Sequence, residues 1–120
     1  MENKKSFGAF LGQRRKELGL TQKELAQRLA ATGLPVAYRA FRTRQSPPFV
    51  CYLYVYDSQF YADDEMYFST GHYQVELYTS TKDPAAEAKV EDALDGLCWE
   101  KSEEYIDAEK IYQLTYEIEV

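Results

Sequence analysis

GLTQKELAQRLAATGLPVAYRAFRT, residues 19–43, is the stretch on which the fold turns. Its first half is built as a helix. Gly19 is a natural stop for whatever precedes it. Thr21 is spaced as an N-cap with Glu24 three residues on, a capping box, and Leu20 and Leu25 are spaced for the hydrophobic staple that accompanies one. Leu25, Ala26 and Leu29 then give a helix over 22–31 a narrow apolar stripe. TGLP (32–35) breaks that helix. VAYRAF, which follows, alternates as a strand does rather than repeating with helical spacing.

Working toward the amino terminus, Phe7, Phe10, Leu11 and Leu18 recur at helical intervals and predict a first helix over 7–18. With 22–31 it would form a helical hairpin, residues 1–31, too small to fold unaided. Working the other way, FVCYLYVY (49–56) predicts a strand with Cys51, Leu53 and Val55 on one face and Tyr52, Tyr54 and Tyr56 on the other. DSQFYADDE reads as a polar connection, and MYFSTGHYQVELYTST as a long strand region with a kink or bulge at Gly71. KDPAAEAKVEDALDGL carries a strong helix start: Asp83 as cap, Pro84 in the first helical position and Glu87 at the positive end of the dipole. Ala86, Val90, Ala93, Leu94 and Leu97 line one side of it. CWEKSEEYI and KIYQLTYEIEV close the chain as two strands, the last alternating Tyr112, Leu114, Tyr116, Ile118 and Val120 against Gln113, Thr115, Glu117 and Glu119. The expected fold is α+β: the N-terminal hairpin, a mainly antiparallel sheet of about five strands, and one long helix packed on it, with 32–120 as the α+β domain.

The chain has 120 residues, 45% of them hydrophobic, with eleven Tyr and six Phe, enough for a single packed domain. The net charge of −6 is unevenly placed. Residues 1–45 hold ten Lys and Arg against three acids, and residues 46–120 hold four Lys against seventeen acids. The larger part should repel nucleic acid, and only the front could attract it. No apolar run approaches the roughly 20 residues of a membrane span, and the start lacks the apolar region of a signal peptide. An intracellular setting is expected, with Cys51 and Cys98 reduced and buried.

SFGAFLGQRRKELGLTQKELAQRLA (6–30) resembles the first two helices of the helix-turn-helix domains of phage-repressor-like regulators. Arg14, Arg15, Glu17, Leu18, GLTQKELA and Leu29 stand in that family's order. The resemblance implies a phosphate contact through the start of the second helix at Gln22, with Arg14 and Arg15 as weak phosphate contacts. It also requires a following helix to enter the major groove. Nothing after Ala31 supplies one, so sequence-specific DNA binding is not expected.

From residue 32 onward the chain resembles the tail-completion, or tail-terminator-like, proteins of long-tailed phages and prophages. GLPVAYRAF, SPPFVCYLY, HYQVELYTSTKDPAAEAKVEDAL and IYQLTYEIEV carry the likeness. It implies a mixed α/β fold without enzymatic activity, assembly as a ring at the head-proximal end of the tail, and contacts with tail-tube and head-completion proteins. The location implied is cytoplasmic during assembly and the virion tail afterwards. In place of the family's single leading helix, this chain has the helix-turn-helix-like front.

The residues themselves offer an interface of the kind such assembly needs. Tyr52, Tyr54 and Tyr56 form an aromatic stripe, and Tyr is enriched at protein interfaces. Arg39, Arg42 and Arg44 could meet an acidic region of a neighbouring copy. No catalytic residues, cofactor or metal site are expected: His72 is the only histidine, the cysteines have no metal spacing, and the carboxylates of ADDE and EKSEE lack the pattern of a calcium loop. The competing readings are a DNA-binding transcriptional regulator using the front, and an acidic module that mimics nucleic-acid charge to bind a basic protein.

Overall fold

In the computed structural model, residues 21–62 and 65–119 are described, with the backbone alone over 59–70. The expected first helix at 7–18, with Arg14 and Arg15, lies outside the described residues. Helix α1 (Gln22–Ala30) begins as its sequence requires: the Glu24 amide donates to the Thr21 hydroxyl at 3.1 Å. It ends where Gly33 takes φ +80°, a left-handed conformation open to glycine at little steric penalty. The Thr32 hydroxyl donates to the Leu29 carbonyl at 2.6 Å and accepts from the Leu34 amide at 3.2 Å, which redirects the chain.

The chain then enters strand β1 (Val36–Tyr38), followed by β2 (Phe49–Ala62), β3 (Glu65–Thr79), helix α2 (Pro84–Ala93), β4 (Cys98–Ile106) and β5 (Ile111–Glu119). The sheet order is β1-β2-β3-β5-β4, with β1 parallel to β2 and every other pairing antiparallel. Both helices lie on one face. α1 packs over β1 and β2 and against α2. Leu25 and Leu29 join Val50, Tyr52, Val75, Leu77, Val90, Leu94, Leu114, Tyr116 and Ile118 in one core. Each fully buried Leu or Val contributes about 1.5–3 kcal/mol by leaving water.

This corrects the expected fold class in several places. The described helices are two short ones, of nine and ten residues, rather than one long helix and a helical hairpin. α2 starts as expected, with the Ala86 amide on the Asp83 carboxylate at 3.1 Å. It stops at Ala93 because Gly96 turns the chain at φ +81° and the Arg28 guanidinium takes the Ala93 and Asp95 carbonyls at 3.3 and 2.9 Å. Those carbonyls therefore need no further helical turn to be satisfied.

The α+β class and the five strands agree with expectation; the sheet is mixed through its one parallel pair, β1 with β2, because the segment 39–48 is long enough to return the chain to the same end of the sheet. DSQFYA is strand, not connection: β2 and β3 stay paired out to Ala62 and Glu65. The irregularities fall between Tyr54 and Tyr56 and between Phe60 and Tyr61, while Gly71 sits in register opposite Asp57.

Candidate interaction surface

The face away from the helices is built from the other half of the same alternation. Cross-strand partners share a face, so Cys51, Glu76 and Thr115 form one row, Tyr78 and Gln113 the next. Glu76 is its centre. Its Oε2 accepts from Gln74 Nε2 at 2.8 Å and Gln113 Nε2 at 3.1 Å, and its Oε1 accepts from the Tyr78 hydroxyl at 3.1 Å. Gln113 Nε2 also donates to the Tyr78 oxygen at 3.2 Å. Burial, then the nearby Glu76 carboxylate, push the Tyr78 phenol well above its ordinary value, so it stays a donor. The same two causes, in the same order, raise the Cys51 thiol, which is therefore protonated and poorly nucleophilic.

One end of this face is roofed by the segment 39–48. Phe41 meets Phe49 edge-on at 5.5 Å, and Phe49 stacks on Tyr78 at 4.8 Å. Between this segment and the β4–β5 turn lies a groove of ≈ 540 Å³, lined by Arg39, Arg44, Phe49, Tyr78, Glu109 and Ile111 among others. Arg39 holds φ 68°, unusual for a residue with a Cβ, while its amide donates to the Tyr52 carbonyl at 2.8 Å. Arg39, Arg42 and Arg44 are all exposed.

At the other end β2 and β3 leave the sheet together. β1 accompanies β2 only from Val50 to Tyr52, and β5 accompanies β3 only from His72 to Thr79. From Asp57 and Gly71 outward the two strands form a ribbon with no third strand on either side among the described residues. Its sequence carries Phe60, Tyr61, Met66, Tyr67 and Phe68.

His72 stands at the root of this ribbon. Its Nε2 is 2.8 Å from the Ser58 hydroxyl, Tyr56 stacks on its ring at 4.1 Å, and its Nδ1 is 3.7 Å from Glu119 Oε1. A hollow of ≈ 230 Å³ opens beside it, lined also by Cys98, Trp99 and Glu117. A serine, a histidine and a carboxylate in this order resemble the parts of a nucleophilic relay. Here the carboxylate is beyond hydrogen-bond reach, and Ser58 lies within a regular ladder opposite Thr70 rather than on a turn that aims backbone N–H groups at a reacting oxygen. The root of the ribbon joins the end of β5 through the ladder pairing of His72 with Glu119.

No protein-family model matches this chain, and no curated protein matches it.

The structure disperses the expected tyrosine stripe. Tyr52 is 8% exposed and belongs to the core under α1. Tyr54 shares that face, paired with Tyr73, but stands at its margin and is 37% exposed. Val55 is the extra residue of a bulge, so Tyr56 pairs with His72 and emerges on the opposite face. The three arginines are exposed on the segment after β1, and Arg39 and Arg44 line its groove. Gln22 is exposed at the first position of α1, and no helix follows α1 before β1. Cys51 is buried, but Cys98 is exposed, against expectation, because β4 is an edge strand.

The sequence reading missed Glu76, Tyr78 and Gln113 as a cluster. Their signal was present in the polar half of the alternation in β3 and β5. Among the described residues, no group of three His, Cys, Asp or Glu is arranged to hold a metal ion, and no helix is long and apolar enough to cross a membrane.

Proposed function

We propose that this protein is a non-enzymatic structural component of a phage or prophage, completing a tail or joining head to tail by assembling with copies of itself into a ring. The observation that carries this reading is the ribbon of β2 and β3 beyond Asp57 and Gly71, whose outer edges meet no other described strand. A two-stranded ribbon in water is marginally stable alone, and its free edges are templates for another chain. Its aromatic sequence suits burial against a neighbour better than exposure. The open sheet face adds a second contact surface that no described helix covers. The resemblance of the amino-terminal segment to regulators does not alter this reading, because the element after α1 is the strand β1 and not a base-reading helix.

Solution mass tests the reading. Light scattering at low salt should give a discrete multi-subunit species, and negative-stain images should show closed rings. A monomer at every protein and salt concentration overturns it. Deleting the ribbon's outer part, residues 59–68, with a Gly-Asn turn in its place should leave the core folded and abolish assembly or attachment to tail tubes.

A further inference from the structure

We infer that the contact between copies is head-to-tail, with the acidic edge of one chain, Glu100 and Glu104 on β4, seated against Arg39, Arg42 and Arg44 of the next. This rests on the self-assembly reading above and specifies its interface. Sheet order places β1 and β4 at opposite margins of the same sheet. The arginines follow directly on β1. The segment 39–48 that carries them reaches over the open face, where Arg39 and Arg44 share a groove with Ile106, Glu109 and Ile111, yet no ion pair joins them to Glu100 or Glu104 among the described residues.

The charges on the two margins are unspent. From Cys98 to Glu119 the chain holds seven acids and two lysines. Lys101 is engaged by Glu87 at 2.6 Å and Glu91 at 2.8 Å, on the helix side of the sheet. Lys82 is engaged by Glu87 and by Glu103. Glu100 and Glu104 lie on the other face of β4, paired across the ladder with Glu117 and Gln113, so neither has a cation opposite it. The segment 39–48 contains three arginines and no acid, and Glu109, which shares the groove with Arg39 and Arg44, makes no ion pair with either. Arg28, by contrast, is committed to the end of α2.

Arg39 adds a second sign of purpose. A left-handed backbone at a residue with a Cβ is disfavoured, yet it is held here by the bond to Tyr52, with the guanidinium 5.9 Å over the Tyr38 ring. The arginine segment and the outer edge of β4 are different surfaces, so a contact between them is heterologous and propagates until it closes. Complementary charge sets the partner and register of such a contact and makes it salt-sensitive. Charges on an edge strand also deter random pairing, and the experiment separates that role from a docking role.

Two doubly substituted chains are needed: Arg42→Glu with Arg44→Glu, and Glu100→Lys with Glu104→Lys. Each places like charges against the native opposite margin of its own copies and should fall to monomer under conditions where the wild type assembles. Mixed in equal amounts, they should recover the assembled mass. In the mixture each contact between unlike variants is complementary: engineered acid meets engineered lysine, and native arginine meets native glutamate. Arg42→Gln with Arg44→Gln, which removes charge without reversing it, should weaken assembly roughly tenfold or more.

Circular dichroism confirms folding in each case. Wild type that assembles while both reversals also assemble, or folded variants whose mixture stays monomeric, overturns this interface and leaves the self-assembly reading standing. A wild type that never assembles overturns both.

Discussion

The two faces of the sheet use alternate residues of the same strands, yet they neutralise buried polarity in opposite ways. Beneath the helices, carboxylates meet cations. Glu87, with its side chain 7% exposed, lies between Lys101 at 2.6 Å and Lys82 at 3.0 Å, and Glu91 accepts from Lys101 and from the Tyr116 hydroxyl, each at 2.8 Å. On the open face, Glu76 meets neutral donors only, two amides and a phenol among the described contacts. Ion pairs complete the covered face, with the buried Glu87 held by lysines that reach solvent at its edge. Neutral donors satisfy the hydrogen-bonding capacity of Glu76 without cancelling its charge, so the open face keeps a negative centre on which a cationic neighbour could act. The difference is between a surface that has finished its contacts and one that has not.

The sharpest way to break this comparison is to remove equal volume from each face. Leu77 on β3 is fully buried under the helices, whereas Leu53 on β2 is only partly buried on the open side. Leu77→Ala should lower unfolding stability by about 2–5 kcal/mol, because the cavity is held open by a packed core. Leu53→Ala should lower it by about 1 kcal/mol or less in the dilute monomer. Urea midpoints measure both. Equal losses would mean that the open face is sealed within the chain, and the contrast would be lost.

A smaller effect comes from pH. Burial alone would raise the Glu87 carboxyl, but hydrogen bonds from Lys101 and Lys82 outweigh it and hold the group below its usual 4.5. Glu91 is also held below 4.5, chiefly by the Lys101 hydrogen bond. A carboxyl depressed in the folded state stabilises the fold above its unfolded value. That contribution disappears as pH falls through the folded value, so wild type should lose stability progressively below about pH 4.5. The lysines have the opposite sign: Lys101 and Lys82 are raised by their acid partners, so their contribution is complete below 10.5 and lost above the raised values. Glu87→Gln should lower stability at pH 7 by about 1–3 kcal/mol and shrink the acid loss, so that the two proteins converge near pH 3. A variant whose acid limb is as steep as wild type would show that Glu87 does not carry it.

How much of this was legible follows the same division. Where a face is buried, residue order is constrained and can be read. Val75 and Leu77, and Leu114, Tyr116 and Ile118, alternate because each second position enters the core. The helix starts were legible too, since Thr21 and Asp83 act through neighbours three residues away. The β3 side of the ribbon was read as strand from Met66, but its β2 side, DSQFYA, was not, because no core of this chain demands apolar residues at every second position there. Asp57, Ser58 and Gln59 stand opposite Gly71, Thr70 and Ser69 in the ladder.

The bulge at Val55 was invisible for a related reason. A bulge adds one residue without any change in residue type, yet it moves Tyr56 from the side of Tyr54 to the side of His72. The stop of α2 depended on Arg28, 65 residues away from Ala93, which no local pattern records. Glu76 required its row partners Gln74, Tyr78 and Gln113 to be brought together by register.

The subtlest difference between the faces lies at Thr79, the last residue of β3 and 1% exposed. It faces the helices, opposite Tyr112, and its hydroxyl has no hydrogen-bond partner among the described residues. A buried hydroxyl without a partner gives up its bonds to water and gains none in return. Glu87 Oε2 also lacks a hydrogen-bond partner but has the Lys82 ammonium at 3.0 Å, so Thr79 is where the covered face should tolerate, or gain from, a loss of polarity. Thr79→Val keeps the branched shape and the strand preference while removing the oxygen. It should leave stability unchanged or raise it by up to about 1 kcal/mol, read as a small rise in the urea midpoint at constant slope. A loss of about 1 kcal/mol or more would mean that the hydroxyl is bonded after all, and the covered face would then be polar at a point where it now looks dry.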